Sequence, residues 1–360
     1  MDILILLMLA AKTKLNKIVL LRPGALGDVL AVRGVIRFLK DAFPGIEICL
    51  VAPGERGMFF QRDGWADRIF DWDRTAFSWL FSDGGQAPPP ALQAVFSEAD
   101  LILSYMGGDT TAVLEDRLKE LVPTAGAVFC PSAPLPGHEE GIGQWLVRAA
   151  WTFCSRYNFL PPAYLQTGNF DRLAATKLRI TDGIDVAGGM SGYAVMHPGS
   201  GSKRKNWPLE NYIELGRRLQ AKAEQEADLG LSGLVITSGE ADADLGSRLA
   251  DALPGAEHVH QPALELLSGI LANARLYVGN DSGVTHLAAS VENRKGVSPR
   301  VIALFGPTDA TVWAPPGALI LQDGCDMTSL SVDIVWDAIN DLDSEIRSSR
   351  GECDCHDPKC

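Results

Sequence analysis

"ARLYVGNDSGVTHLAAS", residues 274–290, is an apolar run that breaks into Gly, Asn, Asp, Ser and Gly before a helix-like stretch begins. Strand, glycine-bearing loop and helix in that order are the parts of a parallel α/β unit, and the order recurs along the chain. Upstream, "KIVLLR" (17–22) ends at Pro23-Gly24 and is followed by Leu26, Val29, Leu30, Val32 and Ile36 at helical spacing. "IEICLVAP" (46–53) and "ADLILSY" (99–105) predict two further strands of the first half. The second half restarts the pattern, with strands predicted in "YAVMHPGSG" (193–201), "GLVITSG" (233–239) and "RVIALFGPTD" (300–309). Helices are predicted over 29–43, over 208–226 opened by Pro208, and over 241–253.

The chain has 360 residues, enough for two domains that each bury a core. Hydrophobic residues make up 46% and charged residues 21%, which describes a folded globular protein rather than a disordered one. A formal charge of −13 argues against a nucleic-acid partner bound through broad phosphate contacts, and leaves at most peripheral contact with an anionic membrane. The apolar stretch Ile3–Ala11 is about half of the roughly 20 residues that a spanning helix needs. It reads as an N-terminal extension or a weak interfacial anchor. Seven cysteines, an odd number crowded toward the tail, suit a reducing compartment, so a cytoplasmic location is expected.

In an open parallel sheet, ligands sit beyond the carboxyl ends of the strands. "RPGALGD" (22–28), "HPGSGSKRKNWP" (197–208), "GNDSGVTH" (279–286) and "FGPTD" (305–309) all fall there. Glycines let backbone N–H groups approach an anion, and a helix N-terminus adds dipole and free donors, so a phosphate is the expected ligand. Asp281 or Ser282 can cap the helix predicted from Thr285 to Ser290. Gly283 keeps the approach open, and Thr285 and His286 can donate to phosphate oxygens. Lys203, Arg204 and Lys205 form either a solvated basic surface or a group that neutralises a diphosphate leaving group.

Asp28 is either a helix cap or a general base for an acceptor hydroxyl, and Glu240 either opens a helix or grips ribose hydroxyls. Neither "GALGD" nor "GSGSKRKN" is a Gly-x-Gly-x-x-Gly dinucleotide loop, and serine-hydrolase and zinc-protease motifs are missing. The tail "CDCHDPKC" crowds Cys353, Cys355, His356 and Cys360 together in a spacing that matches no standard finger, so metal binding there is left open.

Taken in order, "RPGALGDVL", "HPGSG", "KNWP", "GE" after a strand, "GNDSGVTHLAA" and "ALFGPTD" resemble glycosyltransferase family 9, the ADP-heptose:lipopolysaccharide heptosyltransferases. The resemblance runs over most of residues 17–345. It implies an α/β GT-B fold of two Rossmann-like, doubly wound domains facing across a cleft. The implied layout is an extension (1–16), an acceptor-side domain (17–165), a linker (166–192), a donor domain (193–330), a C-terminal helix (331–347) that returns toward the first domain, and a Cys-rich tail (348–360). By the same resemblance Asp28 is the catalytic base and Lys205 stabilises the departing ADP. Glu240 would hold the adenosine ribose and Asp281 would face the heptose. Gly199, Ser200, Ser282, Gly283, Thr285 and His286 would line the donor diphosphate.

The implied reaction is metal-independent, inverting transfer from an ADP-sugar to a glycan or lipopolysaccharide-core acceptor, with no cofactor. The alternatives on the same fold are a nucleotide-sugar epimerase or hydrolase, and a non-catalytic nucleotide-binding partner of another transferase.

Overall fold

A computed structural model describes residues 15–62, 64–82, 85–106, 111–123, 125–135, 137–156, 170–180, 192–225 and 231–349. The first fourteen residues, most of the predicted linker and all but the first two residues of the predicted tail lie outside the described residues.

Two compact units are present. The first comprises Met1–Thr181 together with Ala289–Gly296 and Thr311–Gly317, and the second takes Asp182–Ala288, Val297–Ala310 and Ala318–Cys360. The chain therefore leaves the second unit twice. One excursion carries the strand Val291–Glu292, which pairs in parallel with Leu178–Arg179, and Arg179 Nε donates to Glu292 Oε1 at 2.9 Å.

In the first unit five strands form a parallel sheet: β1 (Lys17–Leu21), β2 (Glu47–Ala52), β3 (Arg68–Asp71), β4 (Leu101–Ser104) and β5 (Gly126–Phe129). Their order is β3-β2-β1-β4-β5, with Ile18 facing Ile48 on one side and Leu101 on the other. All five residues of β1 are buried, as expected for a strand covered on both faces. Order reverses between β1 and β4, so the segment that follows β1 opens at a topological switch point.

With β6 (Leu178–Arg179) and β11 (Val291–Glu292) set apart as the two-stranded pair, the second unit holds β7 (Ala194–His197), β8 (Leu234–Ser238), β9 (Glu257–His260), β10 (Leu276–Asn280), β12 (Arg300–Phe305) and β13 (Leu319–Gln322). The sheet order is β13-β12-β10-β7-β8-β9, again all parallel. Counted within the unit this is the dinucleotide-fold order 3-2-1-4-5-6 read from the other edge, with its switch point between β7 and β10.

One helix of the first unit is divided where the sequence reading runs it through. The helix predicted over 29–43 is two helices, Leu26–Ala31 and Arg33–Ala42, with Val32 (φ −79°, ψ −3°) closing one and opening the next. The first therefore starts earlier and contains Asp28. The C-terminal helix, Val332–Ser349, packs on the Leu209–Gln225 helix of its own unit. Val335 and Ile339 enter the core beside Tyr212 and Leu215, Arg218 Nη1 pairs with Asp333 at 2.7 Å, and Lys222 Nζ pairs with Asp343 at 2.8 Å.

Candidate active site

In the first unit β1 delivers Arg22 to its carboxyl end, where the guanidinium is 1% exposed. Arg22 Nη2 pairs with Asp28 Oδ1 at 2.9 Å, Nε donates to the Asp28 carbonyl at 3.1 Å, and Nη1 reaches the carbonyls of Tyr105 (3.2 Å) and Ser132 (2.9 Å). Burial pulls the Arg22 pKa below its ordinary value, and the Asp28 charge opposes that fall. Asp28 Oδ2 accepts the Ala25 N–H at 3.0 Å, so the carboxylate ties down the N-terminus of its own helix. Gly24, at φ +144°, has room only for hydrogen, since a Cβ there would lie 2.8 Å from Asp28 Oδ2. The Asp28 side chain is nonetheless 31% exposed, and each carboxylate oxygen keeps a lone pair for a further proton.

In the second unit Asn280 organises the switch point. It is fully buried at the end of β10. Its Nδ2 donates to the Pro198 carbonyl at 2.8 Å, and its Oδ1 accepts from the Trp207 N–H (3.0 Å) and the Tyr212 hydroxyl (3.1 Å). One side chain thereby fixes both ends of the 198–207 loop. Inside the loop Ser200 Oγ meets Asn206 Oδ1 at 2.6 Å and the Ser202 carbonyl at 2.7 Å, and residues Lys203–Lys205 form a single 3-10 turn. That turn brings Lys205 to Asp281: Nζ and Oδ2 are 2.7 Å apart, with Lys205 34% exposed and Asp281 9%.

The helix beyond β10 runs Gly283–Ser290, starting two residues before the predicted Thr285. Ser282 is its cap, with Oγ accepting the Thr285 N–H at 3.3 Å, and Asp281 serves the lysine instead. The Thr285 hydroxyl is buried; it bonds to the Asn280 carbonyl and lies 3.0 Å from the Tyr277 hydroxyl, so it is spent within the fold. His286 is buried beside it, its backbone N–H bonded to the Ser282 carbonyl at 3.1 Å. Gly283 opens the helix, where free backbone donors face the strand ends.

Glu240 follows β8 and is exposed, its carboxylate without a hydrogen bond among the described residues. Two residues on, Asp242 is buried; its Oδ1 accepts the Gly239 N–H at 3.2 Å, and its carboxyl lies directly against Gly199, where a Cβ would overlap it. His197, at the end of β7, faces Asp242 with Nε2 3.8 Å from Oδ2.

Arg22, His197, Asn280 and Asp242 were missed as site residues by sequence reasoning. For Arg22 and Asn280 a signal existed, because each is a polar residue closing an otherwise apolar strand. For Asp242, set within a predicted helix, none did. Among the described residues no three His, Cys, Asp or Glu side chains are grouped to hold a metal ion, and no helix is long and apolar enough to cross a membrane.

The chain is similar to known proteins. A family model described as glycosyltransferase family 9 (heptosyltransferase) matches residues 170–324. The chain is 25% identical over 309 residues to lipopolysaccharide heptosyltransferase 1 of Escherichia coli K12, an alignment covering 81% of this chain and 88% of that protein. Among solved structures, E. coli heptosyltransferase WaaC with ADP superposes with a TM-score of 0.62 at 19% identity, covering 90% of this chain and 99% of the other. A glycosyltransferase family 9 protein of Veillonella parvula gives 0.68 at 14% identity, covering 94% and 99%. The structure of E. coli ADP-heptose lps heptosyltransferase II gives 0.65 at 14%, covering 92% and 99%. The shared architecture is the GT-B fold of two Rossmann-like domains.

Proposed function

We propose that the chain, whose residues 170–324 match the model of glycosyltransferase family 9 (heptosyltransferase), is a glycosyltransferase that transfers a heptose, or a closely related sugar, from an ADP-linked donor. The acceptor is a saccharide hydroxyl of a lipopolysaccharide core or related glycan. One E. coli relative is named lipopolysaccharide heptosyltransferase 1, and a similar solved structure is named E. coli heptosyltransferase WaaC with ADP. The observation that carries the reading is the Lys205–Asp281 pair, 2.7 Å apart although 76 positions separate the two in sequence. It puts a held ammonium group beside the helix N-terminus at Gly283, where a leaving diphosphate gains most from fixed positive charge.

The chemistry is a single displacement. The acceptor oxygen attacks the anomeric carbon, its proton passes to Asp28, and the bond from that carbon to the phosphate oxygen breaks. Lys205 and the backbone donors at Gly283 offset the charge that grows on the departing ADP, and Asp281 keeps Lys205 from reorganising as it does so. Arg22 holds the Asp28 carboxylate in one orientation from below. Glu240, exposed after β8, is free to accept ribose hydroxyls. Inversion at the anomeric centre and independence from metal follow from a one-step reaction whose counter-charges come from side chains and backbone.

Thermal unfolding with ADP, UDP, GDP and NAD in turn tests the donor. A ligand at about 100 times its dissociation constant adds roughly 2.7 kcal/mol, so ADP should raise Tm selectively. A shift with UDP or GDP in place of ADP contradicts the donor assignment. Turnover unchanged by a chelator, and a product anomer opposite to that of the donor, are expected of the mechanism; retention or chelator sensitivity contradicts it.

A further inference from the structure

His197 and Asp242 form a buried pair that the reaction above does not use. The His197 Nδ1–H donates to the Thr237 carbonyl at 2.9 Å, which fixes that hydrogen and turns Nε2 toward Asp242. Asp242 stands at the N-cap of the Ala243–Ala252 helix, yet its side chain caps nothing. Oδ1 turns back to the Gly239 N–H at 3.2 Å, while Oδ2 is buried with no hydrogen-bond partner, 3.8 Å from Nε2. Two atoms that present lone pairs therefore face each other out of water, an arrangement that costs free energy until a proton occupies it. An asparagine would satisfy both contacts, its oxygen toward Gly239 and its amide N–H toward Nε2. With the carboxylate, the pair is one proton short.

That pair adjoins the ligand loop, since the Asp242 carboxyl packs against Gly199 with no space for a Cβ between them. We propose that His197 and Asp242 take up one proton when the diphosphate of the nucleotide settles on the Gly199 loop, answering the anion with a buried imidazolium. The proton comes from solvent and binds His197 Nε2, and Asp242 is its counter-charge. The inference rests on the reading of this loop as the ADP site.

The surroundings support it. Burial lowers the His197 pKa from its ordinary value, with Asp242 opposing, so the imidazole is neutral before an anion arrives. From β8 it meets Thr237, which is uncharged; from the Leu209–Gln225 helix it meets Tyr212, whose hydroxyl bonds to the His197 carbonyl at 3.3 Å. Tyr212 and Tyr277 are kept neutral by burial. Lys205 and Asp281 compensate each other at the loop's far end, and Glu240 is exposed. Asp242 is thus the formal charge set against the imidazole.

Isothermal titration of the full-length protein with ADP, in two buffers of different ionisation enthalpy near pH 7, counts the protons. The difference between wild type and Asp242→Asn cancels whatever proton ADP itself gains or loses. Per ADP bound, proton uptake by wild type should exceed that by Asp242→Asn by roughly half a proton or more, and between about pH 6 and pH 8 the wild-type affinity should fall roughly fivefold more steeply. His197→Asn should match Asp242→Asn, and gives a second route should either protein misfold. ADP binding with equal uptake in wild type and both substituted proteins overturns this inference alone. Absence of any ADP binding to wild type overturns the nucleotide reading beneath it as well.

Discussion

Replacing Asp28 by Asn should separate its two duties. The amide keeps an oxygen for the Ala25 N–H or for Arg22, but removes the charge opposite a guanidinium that is 1% exposed. Breaking a fully buried pair costs about 3–5 kcal/mol, and a surface pair is worth about 0–1 kcal/mol. Asp28 is 31% exposed and Arg22 retains the carbonyls of Asp28, Tyr105 and Ser132, so the cost falls between those limits, at about 1–2 kcal/mol. For a domain of this size that is a drop in Tm of roughly 2–8 °C, leaving the protein folded at room temperature. Loss of a general base costs roughly 10²–10⁴ in rate, so turnover should fall by that much while the dissociation constant for ADP stays within about twofold, since Glu240, Lys205 and the Gly199 loop belong to the other unit. Steady-state ADP release, ADP titration and calorimetric unfolding on the same preparation supply the three numbers. Turnover within about threefold of wild type would refute the base assignment, and a loss of ADP binding without a loss of folding would refute the division of labour.

Lys205→Met should lower kcat more than it raises the donor KM, and should cost about 1–3 kcal/mol because Asp281, 9% exposed, is left without its cation; adding Asp281→Asn should restore stability in urea unfolding without restoring turnover. Lys177, which donates to the Ala289 carbonyl, has its pKa pushed down to about 8 by burial and by neighbouring Arg33. At this group the unfolded chain binds more protons than the folded one between about pH 8 and 10.5, so the stability of wild type relative to Lys177→Met should rise with pH through that window, by up to about 3 kcal/mol, in paired urea unfolding. Burial raises the thiols of Cys49 and Cys154 to about 12 and that of Cys130 to about 11, while Cys325 is exposed. Alkylation followed by peptide mass spectrometry should therefore mark Cys325 in the native protein, and the other three only after unfolding.

What the sequence made legible follows the layers of the two sheets. β1, β2, β4, β7, β8, β10 and β12, each flanked by strands on both sides, are continuous apolar runs and were all predicted. Besides the short pair β6 and β11, the four strands that were not predicted, β3, β5, β9 and β13, are the four edges of the two large sheets. "RIFD", "EHVH" and "LILQ" are half-exposed there, so their composition is mixed and too short to show a period. The break at Val32 was invisible for a related reason, because Val29, Leu30, Val32 and Ile36 keep a helical spacing across it.

The loops of the candidate site were legible as glycine-bearing turns at strand ends, but their pairings were not. Nothing local says that Lys205 meets Asp281, or that Ser282 rather than Asp281 caps the helix; register between β7 and β10 decides both. Asp242 read as an ordinary acid early in a helix, and only the packing of Gly199 against it reveals a carboxylate turned inward.

Transfer itself is the most direct test. Purified protein would be incubated with ADP-heptose and a heptose-free lipopolysaccharide core acceptor, and the acceptor's mass followed with wild type and Asp28→Asn in parallel. One heptose added by wild type, with release of one ADP per transfer and negligible addition by Asp28→Asn, is the predicted result. ADP release without a change in the acceptor, or equal transfer by both proteins, would contradict the account.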